Sequence, residues 1–170
     1  MRALVMGVVL VLNLILQSTL LQNFAILSML PNTTLLIIVS YAILRGDVEG
    51  AIVGFCAGLL QDLFFAEYIG FYAMCGALTG FLCGKPYKDF FRENYLLPVS
   101  LVVVAMFANE IAFYIFHFLL FGHTNFWYYF QRLMLPATVY TLFLSIPIYQ
   151  LIYRLNEILE RGRRRRKYFF

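Results

Sequence analysis

Four glycines stand at every fourth position, Gly46, Gly50, Gly54 and Gly58, and Asp62 takes the next step of the same spacing. The residues between them (Ala51, Ile52, Val53, Phe55, Leu59, Leu60) are nearly all apolar. In water such a helix is poor, because each interior glycine costs about 1 kcal/mol against alanine. In lipid the same ladder cuts a smooth groove along one side, into which another backbone can come close. The pattern confines the segment to membrane helix packing. The carboxyl at its end needs a reason to stand in that setting.

The rest of the chain agrees. Of its 170 residues 62% are hydrophobic and 13% charged, where a soluble domain carries about 25% charged residues. The apolar residues come in long runs, so we expect an all-α integral membrane protein with about six transmembrane helices. The spans expected are Ala3 to Leu27, Asn32 to Leu44, Val48 to Ala66, Tyr68 to Gly84, Tyr95 to Phe121 and Gln131 to Tyr153. They make one polytopic domain over 1–154, followed by a basic tail over 155–170. The run after Met1-Arg2 has no small-x-small cleavage pattern and is read as a retained first span. The second span, with Pro31 at its first turn, rises only about 20 Å against a hydrocarbon core of about 30 Å. It must tilt, thin the bilayer, or stop short of crossing. A tight turn at Glu67 makes spans three and four an antiparallel hairpin.

Lysine and arginine set the orientation. With the N-terminus in the cytoplasm, twelve of the 13 cations fall on the inner side and only Arg132 outside. That bias favours an even number of spans with both termini cytoplasmic. The outer loop then holds Trp127, Tyr128 and Tyr129, an interfacial aromatic cluster.

Span four repeats the small-residue theme with Ala73, Gly76, Ala77, Gly80 and Gly84. Two readings stand. Either the ladders pack on each other or on span one, or part of one receives a helix from another protein. Polar groups also interrupt the spans: Asn13 and Gln17, Asp62, then Asn109, Glu110 and His117. Counted from the cytoplasmic end, Gln17, Asp62 and Glu110 lie at a similar depth in the outer half, with Arg132 nearby. This intramembrane layer (Gln17, Asp62, Asn109, Glu110, Arg132) suggests a pair between Arg132 and Glu110 or Asp62. A buried structural network, an outward-open cavity and an ion path remain open as its role.

No catalytic or metal-binding motif is found. His117 and His123 are not at the i, i+4 metal spacing, and Cys56, Cys75 and Cys83 read as buried inert thiols without a Cys-x-x-Cys pair. Cofactors are not expected. The tail packs six cations, Arg161, Arg163, Arg164, Arg165, Arg166 and Lys167, into seven residues. It suits anionic lipid or a cytoplasmic protein, and is too short and membrane-bound for nucleic acid.

The stretch Pro31-Asn32, Leu35-Leu36, Arg45-Gly46, Gly50, Gly54-Phe55, Gly58-Leu59-Leu60, Asp62 and Gly70 resembles the rod shape-determining protein MreD family. Gln17 and the chain length also fit, while Asn32 stands where the family usually has aspartate. The resemblance implies a non-enzymatic, multi-pass component of the bacterial inner membrane in the cell-elongation machinery. Its implied partners are MreC directly, with MreB filaments and the polymerase RodA with its transpeptidase nearby. It further implies a fold similar to the substrate-binding subunits of vitamin transporters. A vitamin-uptake subunit is the alternative function, though the first span has no Ala-x-x-x-Ala docking stretch.

Overall fold

The computed structural model describes residues 2–23, 31–65, 69–88, 96–121 and 126–167, and every regular element there is helical. In chain order these are α1 (Arg2–Asn23), α2 (Thr33–Arg45), α3 (Asp47–Phe65), α4 (Phe71–Gly84), α5 (Leu96–Phe121), α6 (Phe126–Tyr129) and α7 (Leu135–Lys167). A 3-10 turn, Lys85–Lys88, follows α4, and a π turn, Phe130–Met134, joins α6 to α7. Three stretches, Asp47–Phe65, Pro98–Phe116 and Phe126–Ile158, are long and apolar enough to cross a membrane. Leu4–Thr19, Thr33–Arg45 and Phe71–Gly84 are shorter apolar helices. The expected end of span one at Leu27, the turn at Glu67 and His123 lie outside the described residues.

The short helix α2 is the centre of the bundle. Every residue from Thr33 to Leu44 is buried, and α3, α4, α5 and α7 all pack against it. One face (Leu36, Val39, Ile43) meets Val102 and Met106 of α5 and Ala137 of α7. The other (Ile37, Ile38, Tyr41) meets Met6 and Leu10 of α1, Ala57 of α3 and Ile152 of α7. Its length of 13 residues is therefore no defect. A helix sheathed by protein ends against protein groups, not hydrocarbon, and those groups satisfy its termini. At its start Asn32 is the N-cap, its Oδ1 accepting from the Leu35 N–H at 3.0 Å. The Asn32 N–H donates to the Thr141 hydroxyl at 3.2 Å, which ties the cap to α7. Pro31 is thus not in the first turn, as expected, but just before the cap, where its carbonyl accepts from Thr33 N–H at 2.9 Å. At the other end Gly46 closes the helix with φ 99°, a conformation open to glycine and costly for other residues.

The last helix also departs from expectation. The ring of Pro136 would collide with the carbonyl four residues earlier, that of Arg132. The chain widens there into the π turn, and the Leu135 N–H reaches back to the Phe130 carbonyl. Beyond it α7 runs without a break past Arg154 to Lys167, so the basic run continues a helix. The side chains of Arg161 to Lys167 lie outside the described residues.

Candidate functional site

Helices α3 and α4 form the most extensive pair in the molecule, and their glycines explain why. A Cβ added at Gly54 would land on the Gly76 carbonyl, and one at Gly76 on the Gly54 carbonyl. Gly80 meets the Gly50 carbonyl in the same way, and Gly58 that of Tyr72. At Gly50 the added carbon would also lie 2.6 Å from Ala42 Cβ, so α2 closes over this end of the seam. Gly84 faces the backbone of Gly46 and Asp47. Two helices have thus zipped together backbone on backbone, in one antiparallel register. The grooves fill each other: each of these glycines faces backbone of the other helix of the pair or of its adjoining link. Gly46 is corrected too. It is not the first rung of the helix but the link before it, and it still contributes backbone to the seam.

Asp62 completes the ladder in a way that its spacing only hinted at. It is 1% exposed. Its Oδ1 accepts from the Tyr72 N–H at 3.0 Å and its Oδ2 from the Ala73 N–H at 2.9 Å. These amides belong to the first turn of α4, where backbone N–H groups have no partner within the helix. The residue at the N-cap of α4 is Gly70, with φ 111° and no side-chain hydrogen bond. A carboxylate from α3 therefore caps α4 and meets the positive end of its dipole. One residue satisfies two donors, meets a helix end and pins the turn end of the hairpin.

The other expected polar residues do not gather into one network. Gln17 Oε1 accepts from the Thr34 hydroxyl at 3.1 Å, and that hydroxyl accepts from Asn13 Nδ2 at 2.9 Å. This small relay ties α1 to α2. Asn109 Nδ2 donates to the Thr79 hydroxyl at 2.9 Å and to the Ala105 carbonyl at 2.9 Å, tying α5 to α4. Glu110 accepts from the Tyr129 hydroxyl at 2.7 Å. Arg132 is exposed and lies over the Tyr128 ring, 5.8 Å from its centroid. The pair expected between Arg132 and either acid is not formed, because both acids have other donors. Similar depth did not mean a shared face.

The model of the family described as rod shape-determining protein MreD matches residues 1–158. The chain belongs to the MreD family. No curated protein and no solved structure matches it. As an MreD-family member it is a shape-determining membrane protein. The matched region takes in α1 to α6 and α7 as far as residue 158, and stops short of Arg161 to Lys167.

In this MreD-family chain the capping bond from Asn32 to Leu35 needs only a side-chain oxygen, which an aspartate would supply equally. Sequence reasoning missed Thr34, Thr79 and Tyr129, the partners of Gln17, Asn109 and Glu110. A hydroxyl on another helix, here 2.7–3.1 Å from its partner, leaves no mark in one sequence; only the position of Thr34 just inside a cap was a hint. The cysteines divide: Cys75 and Cys83 are buried as expected, but Cys56 is exposed on the outer flank of α3. No group of three His, Cys, Asp or Glu that could hold a metal occurs among the described residues.

Proposed function

We propose that this chain is a non-enzymatic scaffold of the bacterial cell-elongation machinery, crossing the inner membrane six times with both termini in the cytoplasm. It binds the single span of MreC, and through it helps couple MreB filaments to peptidoglycan synthesis by RodA and its transpeptidase. The family match over residues 1–158 carries this reading. The excess of cations on one side supports the orientation. The match also favours it over the vitamin-uptake alternative.

The hairpin suits such a role because its two small-residue faces are used up against each other. That leaves a stiff block whose outward flank is apolar and exposed, with Ile52, Phe55, Leu59 and Leu63 along α3. A partner span lies on this flank, not in the glycine seam. The test is photocrosslinking in growing cells from Phe55 or Leu59 on α3, with Phe143 on α7 as a second face. Adducts with MreC from α3 and not from α7 are expected. No adduct from either face, together with rod growth and a normal MreC distribution after deletion of the gene, would refute the role. Adducts from α7 alone would keep the role and move the interface.

A further inference from the structure

The α3–α4 hairpin carries two charged groups at one level, near the end where Gly46 leads into α3. Glu49 is exposed on α3. In the register set by Gly50 on Gly80 and Gly54 on Gly76, it stands level with Phe81 of α4. Lys85 reaches back to the same level, its Nζ 5.2 Å from the centre of the Phe81 ring. The Glu49 carboxylate is held there, since its Oε2 accepts from the Tyr41 hydroxyl at 3.2 Å and Tyr41 is buried in the bundle. Charged groups that face hydrocarbon are expensive, so the water boundary comes in as far as this level.

The other end of the hairpin is limited as well. Helix α3 stops at Phe65, and Ile69 and Gly70 form a turn before α4. Ile69 is 74% exposed, and nothing lies within 4 Å of where a Gly70 Cβ would stand. Backbone outside a helix finds no partners in lipid unless protein or water covers it, so this open turn lies at or beyond the edge of the hydrocarbon. From Glu49 to Phe65 the helix rises about 24 Å, whereas a hydrocarbon core measures about 30 Å. Tilt makes a long helix fit, but it makes a short one span still less. Helix α5 is the opposite case. It has 26 residues, about 39 Å of rise, in which Glu110 is the only Asp, Glu, Lys or Arg. That helix fits by tilting.

We infer that the hairpin side of the bundle is built for a thin bilayer, with about 24 Å of hydrocarbon at most, and gathers phospholipids with short acyl chains against Met74, Leu78 and Leu82 of α4, all exposed. Glu49 and Lys85 mark the boundary at one face of the membrane, and the turn at Ile69 and Gly70 marks it at the other. The α5 side keeps the ordinary thickness, so the bilayer changes depth around one molecule. A partner span lying on the hairpin side meets the same thin band. The inference rests on the hairpin crossing the membrane, as proposed above, and not on MreC.

The experiment uses the purified full chain in phosphatidylcholine vesicles. Trp127 is the single tryptophan and is changed to phenylalanine. One new tryptophan then reports on one face, Leu78→Trp on α4 or Val104→Trp on α5, both at exposed positions. Brominated lipid with eighteen-carbon chains quenches a tryptophan that it touches, and unbrominated lipids with fourteen-carbon or eighteen-carbon chains compete for its place. At Leu78→Trp the fourteen-carbon lipid is expected to compete about twofold better than the eighteen-carbon lipid, a modest factor because mismatch costs little per Å. At Val104→Trp it has no such advantage. Adding Glu49→Leu and Lys85→Leu lowers the preference at Leu78→Trp. The same preference at both faces, or one that these two changes leave untouched, overturns the inference. So does a lack of quenching at Leu78→Trp. The comparison of the two faces is a test by itself if the charge variant does not fold. The crossing is checked separately: Glu49→Cys and Ile69→Cys should react with an impermeant thiol reagent from opposite sides of the vesicle, and reaction from one side would refute the crossing itself.

Discussion

The two halves of this bundle are held together by opposite means. In the α3–α4 hairpin the contact is backbone on backbone, at Gly50, Gly54, Gly58, Gly76 and Gly80. Around α2, α5 and α7 it is made by large side chains, with Leu36, Ile43, Met106 and Met134 almost wholly buried. The difference follows from the solvent. Lipid is as apolar as leucine, so burying side chains there has no hydrophobic gain, and close packing and hydrogen bonds must hold helices together. Glycine brings the most atoms into contact, but it leaves no slack. A side-chain interface can change rotamers when an atom is added or lost, whereas a carbonyl facing a Cα hydrogen cannot move without its whole helix.

That contrast sets a ranking of substitutions. The largest effect is expected from Gly58→Leu, which drives a branched side chain into the Tyr72 carbonyl and the Ala73 backbone. The cost should exceed the roughly 4–5 kcal/mol that marks an exceptional mutation. The variant should fail to give a monodisperse peak on gel filtration in detergent and fail to restore rod shape to cells lacking the parent gene. A well-folded Gly58→Leu would erase the distinction between the halves.

Next comes Asp62→Ala, which strands the Tyr72 and Ala73 amides. The loss is about 1–3 kcal/mol for each buried donor, readable by thermal melting in detergent. Asp62→Asn keeps one acceptor oxygen and should recover part of it. If alanine and asparagine are equally harmless, the carboxylate is no cap.

In the side-chain half, Ile43→Val removes one methylene from a 1% exposed residue and should cost about 0.5–1.5 kcal/mol. A loss as large as that of Gly58→Leu would mean that this half is as unforgiving as the hairpin. Smallest is Thr79→Val, which takes the acceptor from Asn109. Interhelical hydrogen bonds in membranes average about 0.6 kcal/mol, and Asn109 keeps its bond to the Ala105 carbonyl. A double-mutant cycle with Asn109→Ala isolates this term, and a coupling near zero would remove Thr79 from the contacts that join α4 to α5.

How much of this was legible can be read from particular residues. The glycine spacing marked the seam, because a period of four on an apolar helix has few other uses. Asp62 was visible as the next rung, yet its partners were not. They are amides of another helix, and the vacancy that Asp62 fills arises because Gly70 has no side chain with which to cap. The central place of α2 was hidden for a different reason. Its 13 residues look too few only if lipid surrounds them, and a single sequence does not say what surrounds a helix. The expected pair of Arg132 with Glu110 failed because depth along a helix fixes one coordinate out of three. The rotation of α5 toward Tyr129 supplied the rest.

The most direct measurement compares two alanines on neighbouring faces of α3, Gly54→Ala and Ile52→Ala, by equilibrium unfolding in lipid nanodiscs. Gly54 faces the Gly76 carbonyl, whereas Ile52 is 59% exposed on the outward flank. Adding one carbon at Gly54 should cost more than the roughly 1–3 kcal/mol of ordinary overpacking, while removing three at Ile52 should stay within about 0.5 kcal/mol of the parent. Equal stability of the two variants would contradict a hairpin closed on itself.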